Sequence, residues 1–316
     1  LLASGRAEIL NASFAQPFCW AINGESNVRQ LVRGAQIVKD NFPGAVVDTY
    51  AVQEPCFTSA LPQILKKLGF ARMSLKNSTA WGGYMAKMDG SIVFLHSSDG
   101  SCLPCVVRYK CEELYDRCAT VASGYDRRGI KTFADVCDKN GIIAPLGMCL
   151  QDLGWRAHPF ITENAEYVTY REYFDRFGDS VKGDINFSQD DILCALPWGN
   201  ITLSNILASV RRSENLVLQT EKLLALAEEI AGLQPRLRED IELAWDKIML
   251  SEHHDAFICA PSQRWSRLVA ECTAMARMLL EKVTDRAKTM LSFYDTGKDT
   301  PENDIYLRVF NTTGSA

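Results

Sequence analysis

Ser251-Glu252-His253-His254-Asp255-Ala256 sets two imidazoles and a carboxylate side by side. Imidazole nitrogen is a borderline-soft ligand and a carboxylate is an anionic acceptor, so the run suits a divalent metal beside a polyhydroxylated substrate. The chain has four histidines, and two of them are neighbours here. The preceding segment, Leu237 to Leu250, has the spacing of an amphipathic helix, which places the run at a helix end. Neighbours on a helix point about 100° apart, so one imidazole of the pair is expected to face a given site. The competing role is capping, since an imidazolium at a helix C-terminus favours the dipole.

A second arrangement with chemical potential is Cys102-Leu103-Pro104-Cys105. Two thiols at this spacing suit a redox pair or half of a zinc site, with Cys111 and Cys118 as further ligands. The following Val106-Val107-Arg108-Tyr109 reads as a continuing strand, so no helix N-terminus follows to depress a thiol pKa. Structural thiols are therefore expected. The chain holds eleven cysteines, scattered and mostly flanked by apolar residues. That usage reads as reduced, intracellular and cytoplasmic rather than disulfide-stapled. His96 and His158 have no partners in the sequence and read as structural.

His253-His254-Asp255-Ala256 resembles the His-His-Asp-Ala signature of the glycoside hydrolase family 38 α-mannosidases. Gly24-Glu25-Ser26-Asn27-Val28-Arg29-Gln30-Leu31 is similar to that family's Gly-Glu-Ser-x-x-Arg-Gln-Leu stretch. Leu61-Pro62-Gln63-Ile64-Leu65-Lys66 is similar to the helix that follows its nucleophile strand, and Asp99-Gly100-Ser101 and Val309-Phe310-Asn311 fall in family-like order. The resemblance runs over nearly the whole chain.

The resemblance implies retaining hydrolysis of terminal α-mannosides with one zinc ion. Retention needs a carboxylate nucleophile and a second carboxyl as acid/base, about 5 Å apart. It assigns His254 to the metal and Asp255 to sugar hydroxyls. Further zinc ligands belong to a first-strand motif expected upstream of Leu1. Alignment without gaps on Leu61-Pro62-Gln63 puts Gln53, a poor ligand without formal charge, at the nucleophile and metal position. Glu54 lies next to it, and a bulge at Pro55 would bring it into the site as the catalytic carboxylate; a solvated or paired glutamate is the other reading. Asp152 occupies the acid/base place. Trp155 beside it offers an apolar wall that raises a carboxyl pKa, and a face to stack on a sugar. Asp152 as a turn cap with Trp155 in the core is the alternative. Trp81, in Trp81-Gly82-Gly83-Tyr84, is a further candidate for sugar stacking or for core packing. Two other functions stay open: a metal-independent glycosidase using Glu54 and Asp152, and a carbohydrate-binding pseudoenzyme.

These residues need elements to hold them. Up to about residue 200, short apolar runs alternate with amphipathic helices. Glu8–Leu10, Ala45–Val52, Ala71–Leu75, Ser91–His96 and Gly141–Leu146 read as strands. A helix from Glu25 to Asp40 carries Val28, Leu31, Val32, Ala35 and Val38 at helical spacing, and another covers Leu61 to Leu68. Alternation of this kind implies parallel β/α units. The fold class expected is α/β, which the resemblance sharpens to a distorted seven-stranded β/α barrel incomplete at its N-terminus. After it come long helices, Leu203 to Gly232, Leu237 to Asp255 and Ser266 to Phe293, with Gly232 as C-cap and Pro235 beyond it. They are expected to form an antiparallel three-helix bundle. The domains expected are 1–195 (catalytic), 196–294 (helical middle) and 295–316, the start of a truncated β-rich region.

With 316 residues and 47% hydrophobic composition the chain can bury a large core. A net charge of −5 argues against nucleic acid or an anionic membrane as partner. No apolar run reaches the roughly 20 residues of a membrane span. An α-mannoside or related oligosaccharide is the partner expected, with a homo-oligomer open for the complete protein.

Overall fold

The computed structural model describes residues 1–51, 57–75, 90–107, 109–111, 134–147, 166–186, 188, 200–258, 263–293 and 309–312. The chain divides into two compact units, Leu1–Trp198 and Gly199–Ala316.

The first unit is α/β. Among its described residues are α1 (Gly24–Asn41), β1 (Thr49–Ala51), α2 (Leu61–Lys67), β2 (Arg72–Ser74), β3 (Ile92–His96) and β4 (Cys102–Val106). A short helix α3 at 134–139 follows, then α4 (Tyr170–Phe177) and β5 (Val181–Asn186). The five strands form one mixed sheet in the order β1-β2-β4-β3-β5. β1, β2 and β4 run parallel, and α2 makes the crossover from β1 to β2. β3 is antiparallel to β4 and parallel to β5. The reversal comes from a tight hairpin: Gly100 takes φ +84°, the Ser97 carbonyl accepts from its N–H at 3.0 Å, and Asp99 Oδ1 accepts from the Ser101 amide at 3.0 Å. An Asp-Gly pair favours such a turn.

Two expected strands are absent. Glu8–Leu10 is not in the ladder, because Asn11 and Ala12 both take positive φ, 74° and 48°, and swing the chain away. Its side chains anchor it instead, with Glu8 accepting from the Thr49 hydroxyl and the Arg171 amide. Gly141–Leu146 is a loop as well. Gly141 at φ +68° closes α3, and Ala144 at φ +50° bends the chain again.

α1 buries an unexpected face. Ser26, Asn27, Gln30, Leu31 and Gly34 are buried, whereas Val32 is 50% exposed. The polar members hold the preceding loop: Gln30 Oε1 accepts from the Ala15 amide at 2.8 Å, and Asn27 Nδ2 donates to the Cys19 carbonyl at 2.8 Å. At Gly34 a Cβ would stand 1.8 Å from the Ala12 carbonyl oxygen, so close approach demands glycine. The core beneath the sheet is built from Tyr50, Leu61, Leu65, Met73, Val93 and Cys105, among others. Cys102 and Cys105 both lie on β4, three positions apart, and so point to opposite faces. Both are free thiols, and burial pushes the Cys105 thiol far up.

The second unit is helical: α5 (Asn200–Ala231), α6 (Pro235–Ser251), α7 (His254–Ile258) and α8 (Gln263–Ser292). α8 packs along both α5 and α6. Leu223 and Ala227 of α5 meet Ala287 and Leu291 of α8. Gly232 takes φ +80° and Pro235 opens α6, so the corner uses glycine where left-handed backbone is needed and proline where a helix starts. Among the described residues no helix is long and apolar enough to cross a membrane. Of the expected β-rich region 295–316, residues 309–312 are not in a strand, and the rest lies outside the described residues.

Candidate metal and sugar site

The expected second helix, Leu237 to Asp255, is interrupted inside the histidine motif. α6 runs to Ser251 and α7 begins at His254. The end of α6 tightens: Glu252 N–H donates to the Met249 carbonyl at 3.3 Å and Ser251 Oγ to the Ile248 carbonyl at 2.7 Å. His253 stands between the two helices. Its Nδ1 accepts from the Asp255 amide at 3.1 Å, as an N-cap side chain would. This break overrides the 100° divergence expected of adjacent helical residues. The His253 and His254 rings stack instead, with centroids 4.3 Å apart and planes 25° from parallel.

His253, His254 and Asp255 are, among the described residues, a group whose ligand atoms all lie within 4.8 Å of one another. His254 Nε2 is 3.9 Å from Asp255 Oδ1. Two donors on a tetrahedral zinc stand about 3.4 Å apart at ordinary bond lengths, so a small side-chain adjustment would let both reach one ion. His254 is buried, whereas 40% of the Asp255 side chain is exposed. A fixed imidazole and an accessible carboxylate suit a metal ligand and a hydroxyl acceptor, respectively. Burial, and secondarily the neighbouring His254, pushes the His253 pKa down to about 4. The His253 ring is therefore neutral at ordinary pH, the form that accepts a backbone N–H.

Of the residues expected to form the site, the structure describes His254 and Asp255 and brings them together. Gln53, Glu54, Trp81, Asp152 and Trp155 lie outside the described residues. Sequence spacing gave no sign of Trp265, whose indole lies 5.3 Å from the His253 ring. It comes from another helix, twelve positions later, so no local pattern could have marked it. His96, without a partner in sequence, has one in space: its Nε2 is 2.7 Å from Asp184 Oδ1 on the adjacent strand β5.

Residues 1–190 match the model of the glycosyl hydrolases family 38 N-terminal domain. No curated protein matches the chain. Among solved structures, an α-mannosidase from Enterococcus faecalis V583 is similar at a TM-score of 0.59 and 15% identity, covering 89% of this chain and 34% of that one. A family 38 protein from Enterococcus faecalis gives 0.55 and 16%, covering 90% and 30%. The 4-α-glucanotransferase from Thermococcus litoralis gives 0.53 and 14%, covering 85% and 46%. At such identities the likeness is one of fold, and the chain spans about a third of the length of the first two. The match over most of the first unit settles the family: the chain belongs to the glycosyl hydrolases of family 38.

Proposed function

We propose that this chain carries part of a zinc-dependent retaining glycosidase that hydrolyses terminal α-mannosides. The observation that carries the reading is the pairing of buried His254 with half-buried Asp255 at a helix break, in a chain of this family. The α-mannosidase from Enterococcus faecalis V583 among the similar folds supports it. Within this reading, residues 1–195 belong to a seven-stranded β/α barrel, 196–294 to an antiparallel three-helix bundle, and 295–316 to the start of a β-rich region.

His254, with Gln53, would hold the ion, which when bound polarises and orients sugar hydroxyls. Asp255 accepts hydrogen bonds from those hydroxyls. Asp152 protonates the leaving oxygen and later takes a proton from water, while Glu54 attacks the anomeric carbon and is released by that water. Trp81 and Trp155 stack on sugar faces. The proposed compartment is the cytoplasm.

The test is hydrolysis of an aryl α-mannoside by the complete polypeptide, with and without a chelator. Chelator-sensitive turnover is expected, and turnover indifferent to chelator rejects the zinc step. One observation favours a second reading: Gln53 stands where the family alignment calls for an aspartate, and an amide cannot form a glycosyl ester. Saturable sugar binding without turnover by the folded protein would select a carbohydrate-binding pseudoenzyme.

A further inference from the structure

Ile143, Ala144 and Leu146 belong to the loop after α3, and side-chain hydroxyls hold its backbone. Ser91 Oγ donates to the Ile143 carbonyl, and Tyr173 Oη donates to the Ala144 carbonyl at 2.7 Å. Tyr109 Oη accepts from the Leu146 amide at 2.8 Å. Pro145, between them, has no N–H to place. The three hydroxyls come from separate segments: the residue before β3, the stretch after β4, and α4. All three residues are buried. They also meet one another, since hydrogen bonds from Ser91 and Tyr109 oppose the burial that pushes the Tyr173 phenol up to about 12.

Solvation alone does not require such a clamp. Ile143 is 58% exposed, so the loop lies at the surface, where water can serve backbone groups. The loop is nonetheless fixed in a costly shape: Ala144 takes φ +50°, where a Cβ crowds the backbone. Such strain persists where surrounding contacts over-determine it, and it gathers at functional positions. The sheet register shows where this loop stands. Ala51 at the end of β1 pairs with Ser74 of β2, and Ser74 pairs with Val106 at the end of β4. Ala144 and Leu146 pack against the cluster that contains Val106. The loop therefore lies at the C-terminal end of the parallel strands, with β4 two strand spacings, about 10 Å, from β1. Parallel α/β sheets carry their functional loops at this end. Gln53 and Glu54 follow Ala51 in the chain, and Asp152 follows Leu146 by six positions.

We propose that Ser91, Tyr109 and Tyr173 are positioning residues for leaving-group protonation, holding the strained loop from which the chain runs to Asp152. The proposal rests on the glycosidase reading above, in which Asp152, outside the described residues, is the acid/base. A general acid works only within hydrogen-bond reach of the departing oxygen, so a loop free to relax at Ala144 impairs protonation first. The effect is selective, because a good leaving group departs with little proton transfer and a basic one does not.

The experiment measures kcat/KM of the complete polypeptide on dinitrophenyl α-mannoside, whose leaving group departs unprotonated, and on methoxyphenyl α-mannoside, whose leaving group needs a proton. Tyr109→Phe and Tyr173→Phe are expected to lose about tenfold or more on the methoxyphenyl substrate and less than about threefold on the dinitrophenyl one. Equal losses on both substrates overturn the proposal, because they mark a support of the fold alone. Unchanged kcat/KM on the methoxyphenyl substrate overturns it as well. Ser91→Ala removes the third hydroxyl and gives the same reading should a phenylalanine variant fail to fold. No turnover of either substrate by the folded, unaltered protein rejects the glycosidase reading, and the proposal with it.

Discussion

Asp255 carries the most direct consequence at the scale of one residue. Its carboxylate is 40% exposed and 3.9 Å from His254 Nε2, close enough to serve a hydroxyl held beside an ion. A hydrogen bond to a charged acceptor contributes about 1.5–3 kcal/mol, or roughly 10- to 100-fold in rate if it is made in the transition state. Asp255→Asn in the complete polypeptide should lower kcat/KM on an aryl α-mannoside by that order, with zinc saturating. Kinetics indistinguishable from the unaltered protein would remove Asp255 from the substrate site. The types of these residues were legible in the sequence, since paired imidazoles beside a carboxylate have few structural uses. Their mutual placement was not. It depends on where α6 stops, and the Glu252 and His253 backbones settle that by folding back on the last turn.

Among the elements, the corner between α5 and α6 shows how charge and cap are combined. Glu228 Oε1 accepts from the Gln234 amide at 2.9 Å and from Arg238 Nε at 3.0 Å, so one carboxylate serves both the start of α6 and a basic residue of its first turn. The Arg238 guanidinium, with the Gln234 amide, holds the Glu228 carboxyl below its ordinary value of 4.5. A depressed carboxyl contributes stability that is present above its unfolded pKa and lost as pH falls through the folded one. Stability measured by urea unfolding should therefore decline as pH drops below about 4.5, and Glu228→Gln should flatten that part of the profile. An unchanged acid limb in Glu228→Gln would show that the pair adds nothing there. More than half of the Arg238 side chain is exposed, so the effect is modest. Gly232 and Pro235 announced this corner in the sequence. α1 misled, because apolar spacing pointed to Val32, whereas loop backbone groups needed the partners that Asn27 and Gln30 provide.

For the whole molecule, the zinc reading has a thermodynamic consequence that activity assays do not reach. A ligand that binds only the folded state stabilises it, by about 2.7 kcal/mol at ~100-fold excess over its Kd. Calorimetry of the complete polypeptide should show zinc raising the unfolding temperature and a chelator reversing the rise; an unmoved transition would count against a bound ion. The sequence by itself determined the α/β class of the first unit, the long helices of the second, and the motif that joins chemistry to a helix end. Those properties follow from periodicity, capping residues and local side-chain chemistry, which act over a few positions. Tertiary structure alone decided that β3 runs against β4, that Glu8–Leu10 stays out of the sheet, and that Trp265 stacks on His253. Each of these turns on pairing between distant segments or on a single left-handed residue, and such energies are settled only when the chain closes on itself.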